Sequence, residues 1–447
     1  MSSTSCFSLK SSYLSYALIV SGCCGLAYTP AHAEDETATK KREPGIYAGM
    51  KDGLRIQTHD KRYVFKFGGR LQIDSHTYAY PSEGWWNARE PRNHVFDVRR
   101  ARMELNVTLS EYYQGKLTAD FANKVELDYA YINLRYFPAM EIRIGQFGYP
   151  FGVESLISSK YDTFAESSTI GSAVSSGRDR GLMLQGSTKN DQYAYQLAVM
   201  NGVPQNTDDN NDDLDLAIRL VRNPEEVVEG EWNLWYGLSY SQGGQLVGKD
   251  KAFTLRTESK SGRNFLKAPL AEGTQYTRQR VAVNFATVKG PVMLSTEYYS
   301  AAYDFTANVQ VQGYYVIASY FLTGEQRNIK DGLLERIPIK QAYDPAGPGI
   351  GAWELALRYS VFYADRKFFK PEGLYPGWEP LDPAKNVNAG YTWTLGINWY
   401  PDTMVGIQLD WIQTYVAKEP ARNLGDARSV KSARSETALL LRTQLDF

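Results

Sequence analysis

The C-terminal part of the chain alternates between two sets of side chains. The first set is Thr437, Leu439, Leu441, Thr443, Leu445 and Phe447, and the second is Ala438, Leu440, Arg442, Gln444 and Asp446. A period of two is typical of a strand that has one apolar face and one wet face. Such a strand fits the last strand of an outer-membrane β-barrel, and it equally fits an amphipathic strand of a soluble sandwich.

Similar segments, separated by turn residues, recur along the chain. We count sixteen of them. They lie near residues 63–80, 95–109, 113–122, 126–137, 140–147, 180–187, 193–200, 214–222, 232–241, 278–287, 291–303, 310–322, 352–363, 390–400, 404–416 and 434–447. Closure of a bacterial barrel requires an even number of strands. The pattern therefore predicts an all-β fold, a transmembrane antiparallel β-barrel of about 16 strands with a water-filled lumen.

The connections between these segments differ in length on the two sides of the predicted barrel. With the N-terminus on the periplasmic side, the periplasmic turns are mostly short, namely 110–112, 138–139, 287–290 and 401–403. The long extracellular loops are then 147–179, 241–277, 364–389 and 417–433. This asymmetry is typical of outer-membrane barrels. Only the connection 323–351 breaks it, because it is long on the periplasmic side.

The first 33 residues have the features of a cleaved signal peptide. Lys10 is the only Lys, Arg, Asp or Glu in this stretch, and Ala31-His32-Ala33 has the small-x-small form of a cleavage site. We therefore predict a signal peptide at 1–33, a short periplasmic segment at 34–61 and a barrel at 62–447 in the outer membrane. Alternatively, Val20-Ser21-Gly22-Cys23 resembles a lipobox, which would make Cys23 a lipidated terminus.

Composition excludes several classes of protein. The chain has 49 basic and 50 acidic residues, a balance that argues against a protein that coats nucleic acid. All three cysteines lie in the predicted leader, so the mature chain would have no disulfides and no thiol ligands. The 32 Tyr, 18 Phe and 9 Trp suit aromatic girdles in contact with outer-membrane lipids.

Enzymatic and metal-binding motifs are missing from the sequence. Beyond the leader there are only three histidines, His59, His76 and His94, and no Gly-x-Ser-x-Gly, His-Glu-x-x-His or P-loop pattern. The acidic run 208–215 lacks the central glycine and terminal glutamate of an EF-hand, which favours a solvated loop over a calcium site. We predict neither an enzyme nor a bound cofactor or metal.

The first two strands direct basic side chains into the predicted lumen. With Phe65, Phe67 and Leu71 toward lipid, alternation turns Lys66 and Arg70 inward. The inward set of the second strand includes Arg100, Arg102, Glu104 and Asn106. Clustered cations favour the passage of anions, and arginine matches phosphate oxygens with its forked donors. Alternatively, these charges only make the wall of the lumen polar, and Arg102 is paired with Glu104, Asp120 or Asp128.

Several short motifs together resemble the phosphate-selective porin O/P family. They are Lys66-Phe67-Gly68-Gly69-Arg70-Leu71-Gln72, Phe96-Asp97-Val98-Arg99-Arg100-Ala101-Arg102, Gly145-Gln146-Phe147, Pro150-Phe151-Gly152-Val153-Glu154, Leu322-Thr323-Gly324-Glu325, Gly351-Ala352-Trp353-Glu354-Leu355 with Arg358-Tyr359, and Gly396-Ile397-Asn398-Trp399-Tyr400. They occur in family order from about residue 62 to 447. In that family, too, the motif that Leu322-Thr323-Gly324-Glu325 resembles is followed by an extended segment.

The resemblance implies a homotrimer of sixteen-stranded barrels that pass phosphate-like anions through a constriction formed by inward-folded loops. It places the basic lining on Lys61, Lys66, Arg70, Arg99 and Arg100, with Asp128 as a neighbouring acid. Strict alternation points Arg99 outward, so its place in the lumen requires a β-bulge.

The constricting loop, 147–179, departs from the family pattern. Ser155 follows Glu154 where phosphate-selective members carry lysine, and Gly148 also stands where many relatives have lysine. Ser158, Ser159 and Lys160 remain as hydrogen-bond donors, while Arg256, Lys260 and Arg263 could form an outer anion ladder. The sequence as a whole predicts a passive channel for small anionic solutes, with phosphate or polyphosphate as the first candidates. A general diffusion porin and a structural or adhesin-like barrel remain as alternatives.

Overall fold

The computed structural model describes residues 45–50, 53–79, 94–137, 139–209, 211–259, 262–417, 419–427 and 434–447. The predicted signal peptide and Cys23 lie outside these residues, so cleavage and lipidation stay predictions. Among the described residues, no helix is both long and apolar enough to cross a membrane.

The described chain is built almost entirely of antiparallel strands. In chain order they are β1 (Ile46–Met50), β2 (Leu54–Thr58), β3 (Tyr63–Ala79), β4 (His94–Leu109), β5 (Tyr113–Asp120), β6 (Glu126–Phe137), β7 (Met140–Gly148), β8 (Arg178–Ser187), β9 (Tyr193–Met200), β10 (Asp215–Arg222), β11 (Asn233–Leu246), β12 (Ala252–Arg256), β13 (Asn264–Pro269), β14 (Gln275–Lys289), β15 (Val292–Asp304), β16 (Asn308–Phe321), β17 (Ile329–Lys330), β18 (Leu333–Leu334), β19 (Ala352–Ala364), β20 (Ala389–Asp402), β21 (Val405–Val416) and β22 (Arg434–Asp446). The helices are α1 (Thr169–Val174), α2 (Leu424–Ala427) and a 3₁₀ turn at Arg366–Phe369.

Sixteen of these strands close into a barrel. Each pairs with its neighbour from β3 to β11, then through β14, β15, β16 and β19 to β22. The barrel closes where β22 pairs with β3, from Thr437 opposite Ala79 to Asp446 opposite Arg70. The predicted fold is confirmed. Every predicted strand coincides with an observed strand, and most of the predicted boundaries lie within a few residues of the observed ones.

Three small strand pairs were not predicted. β1 and β2 form a hairpin that pairs with the start of β3, so part of the segment predicted at 34–61 extends the barrel sheet. β12 and β13 form a hairpin within the long connection 247–274, and β17 pairs with β18 within the connection 322–351. These strands have only two to six residues each, too few to establish a periodicity.

Side-chain burial along the barrel strands follows the predicted alternation. On β3, Phe65, Phe67 and Leu71 are exposed on the outer surface, whereas Gln72 and Asp74 are buried inside. An outer surface of apolar side chains suits lipid, and the polar inner set suits a wet lumen.

The long connection 322–351 is fixed to the short-turn end of the barrel. Arg327 forms a buried ion pair with Glu354, with Nη2 2.5 Å from Oε2. Arg336 pairs with Asp446 at 2.5 Å. These pairs explain how a long connection is held at an end where the other connections are mostly short.

Candidate functional site

Residues 149–177, which we call the inner loop, fold into the barrel between β7 and β8. Barrel carboxylates cap its backbone, since Glu297 Oε1 accepts a hydrogen bond from Val153 N at 2.8 Å and Asp410 Oδ2 accepts one from Ala165 N at 2.8 Å. Phe151, Phe164 and Ile170 of the loop are buried. The inner loop is therefore packed against the wall that contains β15 and β21.

Acidic side chains of the inner loop pair with arginines of the wall. Glu154 accepts hydrogen bonds from the Ser168 backbone and hydroxyl, both at 2.7 Å, and lies 3.3 Å from Arg358. Glu166 lies 2.7 Å from Arg99 and 3.3 Å from Arg442. Burial alone would raise the pKa of Glu166, but these guanidinium groups hold the pKa well below its ordinary value.

A second connection, 247–274, also enters the barrel. Glu258, just after β12, accepts hydrogen bonds from Arg358 at 2.7 Å and from Thr394 at 2.8 Å. Its neighbour Ser259 lies 3.1 Å from Nδ1 of His76 on β3. The β12–β13 hairpin is thus anchored in the lumen, where Thr169 of the inner loop donates to Arg256 O at 3.0 Å.

These loops leave a cavity of about 220 Å³ between the inner loop and the wall of β4 and β8. We call it the constriction cavity. Its charged lining residues are Arg100, Arg102, Arg178, Arg256, Glu154 and Asp162, and its hydroxyl-bearing ones are Ser155, Ser159, Ser167, Ser172 and Ser175. Since roughly 10–15 Å³ of free volume admits one water molecule, a partly hydrated ion fits.

A β-bulge on β4 brings two adjacent arginines inward. Gln72 of β3 pairs with Arg100, but the next residue, Ile73, pairs with Val98, so that Arg99 is the extra residue. Arg99 then reaches Glu166 of the inner loop, while Arg100 faces the constriction cavity. The bulge that strict alternation required for Arg99 is therefore present.

Some of the basic residues are neutralised by wall carboxylates. Arg102 lies 2.7 Å from Asp120 and 2.5 Å from Asp128, and Arg178 lies 3.0 Å from the other oxygen of Asp128. The alternative of a paired polar wall therefore holds for Arg102, with Asp120 and Asp128 as its partners. Asp128 acts as a bridge between two guanidinium groups.

Three inward cations have no such partner. Arg70 donates to Ser159 Oγ at 2.5 Å, and Arg100 donates to Gln72 Oε1 at 2.9 Å. Lys66 is half-buried on the same strand as Arg70. Among the residues that the structure describes, none of these three cations forms an ion pair with a carboxylate.

Three other predicted site residues lie outside the constriction cavity. Lys61 lies in the exposed turn between β2 and β3, with a positive φ of 58°, and is not brought to the constriction. Ser158 lines a larger space of about 950 Å³ on the short-turn side of the inner loop. Lys160 Nζ lies 3.8 Å from Asp446, and burial lowers the pKa of this lysine.

The proposed outer ladder is only partly assembled. Arg256 lines the constriction cavity, because the β12–β13 hairpin folds inward. The backbone N–H of Arg263 donates to Glu436 at 3.4 Å. Lys260 lies outside the described residues.

Sequence reasoning missed Asp162, Arg178 and Glu258. Arg178 was detectable in principle, since it is the first residue of β8, directly after the inner loop. The sequence carried no signal for the other two, because their place depends on how the loops fold.

The acidic run 208–215 ends in a structural ion pair. Asp215 begins β10, and its Oδ2 accepts hydrogen bonds from Tyr149 at 2.8 Å and Arg278 at 2.7 Å. Within the described part of the chain, no group of three or more His, Cys, Asp or Glu side chains is arranged to hold a metal ion.

The sequence profile of the family described as phosphate-selective porin O and P matches residues 65–447. The chain belongs to this family. Porin O of Pseudomonas aeruginosa is 24% identical to this porin over 414 residues, which cover 85% of this chain and 90% of the relative. The predicted family and the outer-membrane location are thus confirmed.

Solved porin structures share the fold. The anion-selective porin from Comamonas acidovorans aligns with a TM-score of 0.53 at 11% identity, covering 86% of this chain and all of that one. OmpT of Vibrio cholerae, described as a trimer form, aligns at 0.50 and 11% identity, covering 86% of this chain and 99% of that one. Family and fold together indicate an outer-membrane channel rather than an enzyme.

Proposed function

We propose that this porin is an anion-selective diffusion channel for phosphate-like oxyanions. One observation carries the proposal, namely that Lys66, Arg70 and Arg100 face the lumen without a carboxylate partner among the described residues. Paired arginines such as Arg102 contribute hydrogen-bond donors but little net charge. The three cations without ion pairs leave a positive excess on the lumen wall, with Arg100 in the constriction cavity itself. Such an excess attracts anions and repels cations.

The arrangement of donors also suits oxyanions. Arg100 presents planar N–H groups that match phosphate oxygens, and the hydroxyl-bearing Ser155 and Ser159 line the same cavity. Buried ion pairs hold the inner loop in place, so the donors are positioned before an ion arrives. The names of Porin O's family and of the Comamonas acidovorans porin agree with this reading.

We further propose that the channel is a homotrimer. The family resemblance and the trimeric form of OmpT support this proposal. The test is to cross-link the porin in outer membranes and to compare the size of the product with that of the purified protein after electrophoresis without heating. A purified channel that conducts as a monomer would contradict it.

The direct test is a planar-bilayer recording of the wild-type channel. In a KCl gradient the reversal potential is expected to lie close to that of chloride, and added phosphate is expected to block the chloride current. A cation-selective or unselective channel would overturn the proposal. It would favour the second candidate, a general diffusion porin, for which the serine at position 155 is the supporting observation.

Restoring a cation in the inner loop is expected to strengthen phosphate block. Ser155 lines the constriction cavity, and its hydroxyl donates to Phe151 O at 3.1 Å. A lysine at this position would reach into the cavity, and one charge-assisted hydrogen bond contributes about 1.5–3 kcal/mol. Ser155→Lys should therefore lower the phosphate concentration that half-blocks chloride current by roughly ten- to a hundredfold.

Ser155→Gln is the matched control, since it adds a long polar side chain without a charge. Equal block in the Lys and Gln variants would mean that the gain is steric. Unchanged block in both, in channels of normal conductance, would place the phosphate path away from Ser155.

A further inference from the structure

We infer that Asp162 makes the constriction select oxyanions that carry an acidic hydrogen, such as hydrogen phosphate, over oxyanions that carry none, such as sulfate. The inference rests on the proposed anion channel and adds to it a residue that determines which anion is preferred. It assigns Asp162 a role in specificity rather than in holding the loop.

Asp162 is the acidic residue of the constriction cavity whose carboxyl group is not used in anchoring. Glu154 also lines the cavity, but its oxygens bind Ser168 and Arg358. Asp162 is held through its backbone instead, where the carbonyl accepts a hydrogen bond from Gln408 Nε2 at 2.9 Å. In the part of the chain that the structure describes, no side chain forms a hydrogen bond or ion pair with the Asp162 carboxyl.

The charged groups around Asp162 come from the walls and from the inner loop itself. They are Arg70, Arg100, Arg178 and Arg442 on the strands and Glu154 on the loop. Arg100 lines the same cavity as Asp162, yet no ion pair of 4.0 Å or less joins them. The cavity thus presents a donor group and an acceptor group that do not satisfy each other.

An oxyanion bound to Arg100 would turn its remaining oxygens toward Asp162. All oxygens of sulfate are acceptors, so they would meet the carboxylate with repulsion and without a hydrogen bond. Hydrogen phosphate carries a P–O–H group, which can donate to the carboxylate in a short, charge-assisted bond. Selectivity then arises from a difference between two anions of similar size and shape, one of which leaves the acceptor unsatisfied.

This selectivity should also depend on the protonation state of Asp162, and therefore on pH. Burial raises the pKa of Asp162 to about 7, against the opposing effect of Arg100. Above this pH the carboxylate is an acceptor and excludes sulfate. Below it the neutral carboxyl can itself donate to sulfate, so the preference for phosphate should weaken as the pH falls from 8 to 6.

The test compares phosphate and sulfate as blockers of chloride current through the full porin. The quantity measured is the half-blocking sulfate concentration divided by the half-blocking phosphate concentration, at pH 8 and at pH 6. We expect Asp162→Asn to lower this ratio about tenfold at pH 8, since an amide can donate to sulfate and accept from phosphate. At pH 6 the wild type and the variant should differ much less.

Asp208→Asn, in an exposed loop, removes the same charge outside the cavity and serves as the control. Because phosphate itself gains a proton between pH 8 and pH 6, the wild type is compared with Asp162→Asn at each pH. If the half-blocking concentrations of phosphate and sulfate fall by the same factor in Asp162→Asn, the residue acts only through its charge and the inference is wrong. Should the asparagine variant not fold, Asp162→Ser gives the same comparison. A wild-type channel without anion selectivity would instead contradict the proposed function.

Discussion

Replacing Lys66, Arg70 and Arg100 together by glutamine is expected to shift the reversal potential toward the cation side and to relieve phosphate block. All three side chains face the lumen without an ion-pair partner among the described residues. One unit charge about 4 Å from a passing ion contributes between about 1 kcal/mol at the dielectric constant of water and about 4 kcal/mol at an effective value near 20. Even the lower figure is roughly a fivefold change in the preference for anions per charge.

The variant should still fold, because glutamine keeps the lumen polar and can bond with Ser159 or Gln72. The matched control replaces three exposed lysines outside the lumen, Lys124, Lys189 and Lys385, and so changes the net charge by the same amount. Single-channel reversal potentials in a KCl gradient distinguish the two. If both triple variants remain as anion-selective as the wild type, the lumen cations only build a polar wall.

The barrel could be predicted from the sequence because its physical cause is local. On β3 and β22, lipid on one side and water on the other impose a period of two on every residue. The turns follow from short polar breaks between such segments. The connection 322–351 stands out in the sequence by its length alone. The two ion pairs that hold it could not be predicted.

The candidate site was only partly predictable, because it depends on contacts between distant parts of the chain. Arg358 joins Glu154 and Glu258, which lie 204 and 100 residues away. No periodicity reveals such pairs. They decide which wall the inner loop covers and which arginines remain beside open space.

Local irregularity accounts for the other differences. The extra residue on β4 turns Arg99 inward, and periodicity can show only that a bulge is needed, not that one exists. Lys61 was placed with the basic lining by resemblance, but it lies in the exposed turn between β2 and β3. Asp162 and Arg178 became candidates only once the cavity between the loop and the wall was known.

Removing Phe447 is expected to lower the yield of folded barrel several-fold. Its backbone closes the seam between β22 and β3, where Gly69 N donates to Phe447 O at 2.8 Å and Phe447 N donates to Gly69 O at 3.2 Å. The aromatic ring lies over Gly69, since a Cβ built on that glycine would come within 2.7 Å of Phe447 Cζ. Losing two hydrogen bonds of about 1 kcal/mol each opens the end of the seam that makes the barrel a closed sheet.

Two substitutions separate the backbone from the ring in this effect. Phe447→Tyr keeps both and should assemble like the wild type, whereas Phe447→Ser keeps the backbone bonds and loses only the contact with Gly69. The amount of heat-modifiable protein in outer membranes measures assembly in each case. We expect the order Tyr, then Ser, then the variant without residue 447, because each step removes one more contact across the seam. Equal yields for all three would show that closure of the barrel does not depend on Phe447 and that the remaining β22–β3 pairing is sufficient.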